Sequence, residues 1–255
     1  MSKNNPTGKD NREGSQFEEP SMPLMVHLRE MRDRLVYSVI ALAATTAIAF
    51  FFVEEIVQIL KMPAGDVDLI AIELTENLGV FLRVSLAGGF ILSMPFLIYQ
   101  LFAFVAPALT DKEKRYVFTI SPFVAFMFFA GVAFAYFVAL PPAMNFLFNF
   151  MTEVAETEIR ISNYLMVITR LILGLGLVFE APVIIMFMAR MGIVTPQWLA
   201  SKRRLWVILA FVVAAIVTPT IDPINQSIVA FPLIILLELS ILLSRLVYRP
   251  RYKSA

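Results

Sequence analysis

Cysteine is absent from this 255-residue chain, which excludes disulfide bonds, a thiolate nucleophile and metal sites with sulfur ligands. The chain has a single histidine, His27, and no glycine-rich phosphate-binding loop, so the residue combinations that common enzymes need are missing. Charged residues are scarce at 16%, and a formal net charge of +1 gives no indication of a nucleic-acid partner. We therefore expect no enzymatic activity, no bound metal and no cofactor.

Apolar residues, in contrast, make up 59% of the chain, and the mean hydropathy is +0.77. Ordinary soluble domains are less apolar than this. A helix that crosses the hydrocarbon core needs roughly 20 mainly apolar residues. The sequence therefore predicts an all-α membrane protein with many spans, and six candidate spans lie at residues 36–53, 84–109, 116–140, 164–189, 205–217 and 227–243.

Two tails flank the predicted membrane domain. Residues 1–22 are polar and poor in apolar side chains, which predicts a disordered cytoplasmic tail. Residues 23–246 form a single domain of six transmembrane helices, and residues 247–255 form a basic cytoplasmic tail. Basic residues before the first span and the "AIA" at 47–49 resemble a cleavable signal peptide, but the long leading tail favours an uncleaved anchor.

The distribution of Lys and Arg predicts the orientation in the membrane. Basic residues concentrate before the first span, between the second and third, between the fourth and fifth, and after the sixth. The intervening loops are acidic; residues 54–83, for example, contain six acidic and two basic residues. Because Lys and Arg near span ends stay on the cytoplasmic side, we expect both termini to be cytoplasmic.

The predicted fifth span is unusually short. Its 13 residues would reach only about 20 Å, whereas the hydrocarbon core is about 30 Å thick. Such a helix must thin the bilayer or lie against other helices. The prolines of "TPTIDP", residues 218–223, end it.

A first candidate site is Glu30. The segment "PLMVHLREMRDRL", residues 23–35, has apolar residues at helical spacing and predicts an amphipathic helix that leads into the first span. Glu30 and Arg34 are four residues apart in the favourable order, and Arg29 and Asp33 are also four residues apart. By themselves, such pairs are ordinary helix-surface ion pairs worth a few tenths of a kcal/mol.

A second candidate site is Glu113. The segment "TDKEKR", residues 110–115, matches a capping box in which Thr110 caps a helix and Glu113 reaches back to its first amide. A capping carboxylate still has free lone pairs that a guanidinium can use. Both Glu30 and Glu113 belong to a predicted cytoplasmic face dominated by Lys and Arg, where a carboxylate is the exceptional, cation-accepting group.

Seven segments, in this order, resemble the TatC family, the multi-spanning receptor subunit of the twin-arginine protein translocase: "HLREMRDRL", "PFLIYQLFAFVAPALTDKEKR", "FAYF", "LVFEAPV", "MGIVTP", "KRR" and "TPTIDPINQ". The resemblance implies a concave, cup-like bundle of six helices in a bacterial or archaeal-type cytoplasmic (inner) membrane, with short fifth and sixth spans. It implies that the chain binds paired-arginine signal peptides of folded proteins and nucleates the export complex, which uses the proton-motive force. The implied partners are single-span TatA- and TatB-like subunits and further copies of the chain.

The resemblance also implies where the signal peptide binds. Matched by motif, the binding carboxylates are Glu30 and Glu113. A carboxylate accepts two parallel N–H bonds from a guanidinium, which a lysine ammonium cannot reproduce. Arg32 would repel cationic peptides that lack this fit. The apolar part of the signal peptide would lie near Phe104 and Tyr136.

Three positions depart from the family pattern. Met31 replaces the common leucine and Phe102 the common tryptophan, and both substitutions keep an apolar side chain. The "TPTIDP" turn is longer than the family's Pro-Pro-Asp turn, so a family role does not carry over to Asp222.

Glu180 lies near the middle of the fourth predicted span, within "LVFEAPV". Burying an ionised carboxylate at this depth costs roughly several kcal/mol unless it becomes protonated, paired or hydrated. Arg170 on the same span is about 15 Å away along the helix axis, too far for a direct pair. Three roles are therefore open for Glu180. It forms a hydrated polar site that receives a partner's transmembrane helix, it carries protons, or it makes a structural hydrogen bond. Glu238, in the sixth span, raises the same question more weakly.

The alternative function is a proton-coupled small-solute transporter with Glu180 as the titrating group. A solute carrier would not need two cytoplasmic carboxylates, and no inverted internal repeat is visible in the sequence. Both features favour the receptor.

Overall fold

The computed structural model describes residues 24–65, 67–108, 110–149, 159–218 and 222–248. The predicted tail at residues 1–22 and most of the tail at 247–255 lie outside these residues. Within the described ranges, the helices are α1 (Leu24–Phe51), α2 (Val53–Lys61), α3 (Glu76–Val105), α4 (Asp111–Phe134), α5 (Leu140–Asn149), α6 (Ile161–Val178), α7 (Ala181–Arg190), α8 (Pro196–Ser201), α9 (Arg203–Val217) and α10 (Pro223–Val247). Two short strands, β1 (Leu69–Ile70) and β2 (Ile159–Arg160), form a parallel pair.

Five helical stretches of the described chain are long and apolar enough to cross a membrane: Leu28–Phe51, Glu76–Val105, Lys114–Phe148, Ile161–Arg190 and Pro223–Val247. They coincide with five of the six predicted spans. The remaining predicted span corresponds to α9, whose 15 residues extend about 22 Å. The predicted short helix is therefore present at this place, whereas its crossing of the membrane as a fifth span stays a prediction.

The prediction of a short sixth span is wrong, because α10 has 25 residues. The helix begins four residues earlier than the apolar pattern indicates. The carboxylate of Asp222 accepts the backbone N–H of Asn225 at 2.7 Å and caps the helix, and Pro223 occupies the first turn. The polar residues of this capped turn concealed it from a search based on hydropathy.

Helix α1 packs antiparallel on α3 through small residues. The Thr45 hydroxyl donates to the carbonyl of Gly89 at 2.8 Å. A Cβ on Gly89 would lie 2.5 Å from the Cα of Thr46, so only glycine permits this approach. Close contact between helix backbones is the usual basis of helix association in membranes, where water supplies no hydrophobic driving force between helices.

The remaining helices enclose two buried clusters. One surrounds α6, where Leu165, Ile168 and Leu171 are fully buried. The other joins α3, α4 and α7 and contains Phe128 and Phe179. In that second cluster, α4 and α6 approach closely because glycines face aromatic rings across their interface, as the short distances from Gly131 and Gly176 show.

Helices α4 and α5 are joined by one π-helical turn, Ala135–Ala139. The backbone N–H of Leu140 donates to the carbonyl of Ala135, five residues earlier. The following Pro141 has no N–H and cannot continue the regular ladder, which explains why the chain accommodates a π turn at this point.

An ionic clasp fastens the strand pair at the end of the bundle where α3 and α6 begin. The Glu73 and Glu76 carboxylates accept the Arg160 guanidinium at 3.0 and 3.4 Å, and these hydrogen bonds raise the pKa of Arg160. The Glu76 carboxylate also accepts the backbone N–H groups of Ile72 at 2.8 Å and Ser162 at 3.2 Å. The clasp therefore joins the segment before α3 to the start of α6.

Candidate functional site

Glu30 lies on the side of α1 that faces α3. Its Oε1 is 3.5 Å from Nη2 of Arg34, which confirms the predicted pair with four-residue spacing. Nη1 of Arg34 donates to Oε1 of Gln100 on α3 at 3.2 Å. Gln100 is buried, so this chain of contacts fixes the orientation of Arg34 and, through it, of Glu30.

Arg32 points away from this contact chain and its side chain is 70% exposed. Its Nε and Nη2 donate to Oδ1 of Asp33 at 2.9 and 2.8 Å. The predicted Arg29–Asp33 pair is therefore wrong, because the adjacent guanidinium reaches the carboxylate with two N–H groups. Glu30, on the α3 side of α1, is therefore separate from the exposed Arg32–Asp33 pair, whose two charges nearly cancel.

Glu113 belongs to the first turn of α4, and its side chain lies outside the described part of the structure. At the start of α4, the backbone N–H of Lys114 donates to the carbonyl of Thr110 at 2.8 Å. This bond agrees with a helix start at the predicted place, whereas the reach of the Glu113 carboxylate back to the helix start stays a prediction.

The contacts between α1 and α3 show which end of the bundle holds these residues. Thr45 pairs with Gly89, and Arg34, eleven residues earlier, pairs with Gln100, eleven residues later. Continued at this register, Glu30 lies level with the last turn of α3, where Phe104 is half-buried. Only a 3-10 turn and two further residues separate α3 from α4, so the start of α4 is at the same end.

Tyr136 lies at the opposite end. Its hydroxyl donates to the carbonyl of Ile59 in α2 at 2.7 Å. It follows Glu113 by 23 residues of nearly continuous helix, a distance of about 35 Å. The structure therefore brings Glu30, Phe104 and the backbone of Glu113 to one end of the bundle, and does not place Tyr136 with them.

Glu180 occupies the break between α6 and α7. Pro182 follows it and has no N–H to bond the carbonyl four residues earlier, which accounts for the interruption. The side chain is buried, at 5% exposure, and neither carboxylate oxygen has a hydrogen-bond partner among the described residues. The interpretation of Glu180 as a satisfied structural hydrogen bond therefore finds no support in the part of the chain that is described.

Glu238 differs from Glu180 because it is paired. Its Oε2 accepts Nη2 of Arg203 at 2.9 Å, and both side chains are half-exposed. Arg203 is the first residue of α9, within the basic "KRR" segment. Glu238 therefore links α10 to the basic start of α9 rather than offering an isolated intramembrane carboxylate.

The sequence analysis did not single out Gln100, which connects α3 to the Glu30 contact chain. The available signal was its amide within an otherwise apolar predicted span. The described residues contain no group of three or more Asp, Glu and His residues arranged to hold a metal ion.

These features define a multi-pass α-helical membrane protein with the Glu30 carboxylate and the start of α4 at one end of its bundle. The family model "Sec-independent protein translocase protein (TatC)" matches residues 26–232. The TatC protein of Aquifex aeolicus is 36% identical over 236 residues, covering 90% of this chain and 98% of its own. TatCy of Bacillus subtilis is 34% identical, with coverages of 92% and 93%. The chain belongs to the TatC family.

Two solved structures agree with this assignment. "Crystal Structure of Twin Arginine Translocase Receptor- TatC" is 36% identical, has a TM-score of 0.76, and aligns 88% of this chain with all of that chain. A second TatC structure, determined in DDM, is 37% identical with a TM-score of 0.77. The protein is thus a multi-pass inner membrane protein of a family that works within the Tat translocase with other Tat subunits. The small-solute transporter is not favoured.

Proposed function

We propose that this chain is the receptor and core subunit of a twin-arginine translocase. It binds the paired arginines of signal peptides on folded proteins through Glu30 and Glu113, at the cytoplasmic edge of the membrane. It then nucleates an export complex that contains single-span TatA- and TatB-like subunits and further copies of this chain. The complex uses the proton-motive force. Family membership and the position of Glu30 support this proposal.

The observation that carries the proposal is the restrained but weakly engaged Glu30 carboxylate. The 3.5 Å separation from Arg34 is longer than a good charge-assisted hydrogen bond, which is about 2.7–2.9 Å. Because Gln100 also accepts from Arg34, that arginine keeps a partner when a signal-peptide guanidinium takes its place beside Glu30. The incoming arginine then forms two parallel hydrogen bonds with a carboxylate that is already oriented.

The proposed topology has six spans, with α9 as the short fifth crossing and both termini in the cytoplasm. The basic residues in the first part of α1 and around the start of α9 support this orientation. Trp198 and Trp206, with ring centroids 6.1 Å apart, flank the start of α9 and suit the membrane–water interface. A crossing of about 22 Å would thin the bilayer on the concave side of the bundle.

Glu180 completes the proposal as an intramembrane polar site. Its carboxylate is buried and has no partner among the described residues, so it can accept a polar group from the transmembrane helix of a single-span subunit once the neighbouring side chains move aside. Replacing Glu180 with Gln preserves size and hydrogen bonding, so export should remain near the wild-type level, whereas Glu180→Leu should abolish it. Loss of export in both variants, together with normal complex assembly, would favour a proton-carrying role instead.

Export of a folded fluorescent reporter with a twin-arginine signal tests the receptor function. The assay uses cells in which this protein is the only TatC-family protein, present in wild-type form or as Glu30→Gln, Glu113→Gln or the double variant. Each single change should slow export, and the double change should stop it, because the guanidinium pair loses both anionic partners. Asp33→Asn is the matched control, since Asp33 is on the same helix and already paired with Arg32.

Membrane levels of each variant are measured by immunoblot so that only stable protein is compared. Normal reporter export by the double variant at wild-type membrane levels would contradict the assignment of both carboxylates.

A further inference from the structure

An apolar groove with two arginines lies on the outer face of the bundle, between α1, α3 and α6. Its volume is about 500 Å³. Its lining residues include Leu42, Arg83, Leu86, Phe90, Arg170 and Leu173. The described residues that line this groove include no carboxylate, so the two guanidinium groups are its principal polar feature.

The two arginines are available for an external anion. Nη1 of Arg83 donates to the carbonyl of Ser162 at 3.3 Å, which is a single, long hydrogen bond. Arg170 is exposed and has no hydrogen bond or ion pair with any described residue. The nearby acidic residues, Glu73 and Glu76, already share Arg160 in the ionic clasp. The positive charge of the groove is therefore not neutralised within the described chain.

The arginines lie near the beginnings of two apolar helices, where headgroups meet acyl chains around a membrane-spanning bundle. Arg83 is seven residues beyond the start of α3, and Arg170 is nine residues beyond the start of α6, which corresponds to about 10–14 Å along the helix axes. Long arginine side chains at such positions extend towards the interface while their methylene groups remain among apolar atoms. The bond from Arg83 to Ser162, in the first turn of α6, points in this direction.

We propose that this groove binds an anionic glycerophospholipid. Arg83 and Arg170 bind the phosphate, and an acyl chain lies along Leu42, Leu86 and Phe90. The lipid comes from the leaflet that surrounds the starts of α3 and α6, which is the extracytoplasmic leaflet in the topology proposed above. Charge complementarity identifies the headgroup, because two uncompensated guanidinium groups favour a net negative headgroup over a zwitterionic one.

A lipid suits the groove better than the helix of a partner subunit. The groove combines a charged end with a continuous apolar surface exposed to the membrane, which matches the two parts of one phospholipid molecule. A partner helix would need a carboxylate at the same depth, and burying that carboxylate in the bilayer is costly until the complex has formed.

Native mass spectrometry of the full-length protein in detergent tests the proposal. The probes are phosphatidylglycerol and phosphatidylcholine with identical acyl chains, titrated separately. We expect tighter binding of phosphatidylglycerol to the wild type and a loss of about tenfold in its affinity in Arg170→Gln, since one charge-assisted contact is removed. Arg170→Lys should retain part of the preference.

Two further variants separate the parts of the site. Leu86→Trp should fill the apolar part of the groove and weaken the binding of both lipids, because Leu86 is exposed within it. Arg204→Gln, which removes an exposed arginine from α9, is the control for general charge effects and should bind phosphatidylglycerol like the wild type. Circular dichroism verifies that each variant is folded.

The proposal would be overturned by equal affinity of the wild type for the two lipids. Unchanged phosphatidylglycerol binding in folded Arg170→Gln, or equal losses in Arg170→Gln and Arg204→Gln, would also overturn it. Photo-crosslinking from position 170 in membranes provides an independent readout: capture of phospholipid supports the proposal, and capture of a single-span subunit without lipid contradicts it.

Discussion

Replacing Gly89 with alanine should loosen the contact between α1 and α3, and so the platform that holds Glu30. The new Cβ would lie 2.5 Å from the Cα of Thr46 and 2.6 Å from its backbone N. Carbon atoms in favourable contact are about 3.5–4.0 Å apart, so the helices must separate by about 1 Å. Overpacking of this kind costs about 1–3 kcal/mol. Separation would also stretch the 2.8 Å hydrogen bond from Thr45 to the Gly89 carbonyl.

A matched glycine on the same helix corrects for backbone effects. Gly79→Ala introduces the same methyl group into α3, but no atom lies within 4 Å of the new Cβ. Exchange of glycine for alanine within a helix is worth up to about 1 kcal/mol in favour of alanine, so Gly79→Ala should be neutral or stabilising. The difference between the two variants isolates the packing cost at Gly89.

Thermal unfolding of the purified protein in detergent, followed by circular dichroism, measures that cost. For a chain of this size, 1 kcal/mol corresponds to roughly 2–4 °C, so we expect Gly89→Ala to unfold several degrees below Gly79→Ala. Equal melting temperatures for the two variants would refute the close approach of α1 and α3 and, with it, the helix register that places Glu30 beside the end of α3.

Three smaller predictions concern polar contacts between elements. Arg160→Gln should lower the melting temperature and speed proteolysis of the segment before α3, because the ionic clasp loses its cation; unchanged proteolysis would contradict this. Tyr136→Phe removes the 2.7 Å bond to Ile59 and should cost about 0.5–1.5 kcal/mol in stability, measured by thermal unfolding, while signal-peptide affinity stays unchanged. Glu238→Gln should cost less than about 1 kcal/mol in stability and so shift the melting temperature only slightly, since its pair with Arg203 is half-exposed. A large fall in the melting temperature would show that the pair is shielded in the membrane.

The apolar runs predicted most of the helices, because a membrane span must satisfy its backbone hydrogen bonds within one continuous apolar helix. Hydropathy did not predict the helix boundaries that capping residues and prolines determine. Asp222 and Pro223 start α10 through capping, which apolar content does not detect. Glu180 separates α6 from α7 because Pro182 interrupts the ladder, although the sequence reads as one apolar span.

The candidate site was predictable only in its local part. Four-residue spacing correctly paired Glu30 with Arg34, since both positions belong to one helix. The bond joins Arg34 to Gln100, which are 66 residues apart in sequence, and it depends on the register between two helices, which no local pattern contains. For the same reason, the sequence did not show that α4 carries Tyr136 to the other end of the bundle, and a contact of Tyr136 with the apolar part of a signal peptide stays a prediction.

The convergence of Arg83 and Arg170 has a similar origin. In the sequence, Arg83 is the last residue of a predicted loop and Arg170 is an isolated charge within an apolar span, and only the packing of α3 against α6 places both in one groove. Residues that act together across helices therefore become visible at the level of packing, whereas capping pairs and spans are already visible in the sequence.

Signal-peptide affinity of the purified protein tests the central claim most directly. Fluorescence anisotropy compares a labelled twin-arginine signal peptide with its twin-lysine counterpart, using wild type, Glu30→Gln, Glu113→Gln and the Asp33→Asn control. We predict that the wild type prefers the twin-arginine peptide by about tenfold or more, because one charge-assisted hydrogen bond is worth roughly 1.5–3 kcal/mol. Each glutamate variant should lose most of that preference, and the control should keep it. Equal arginine preference in wild type and both glutamate variants would contradict the account.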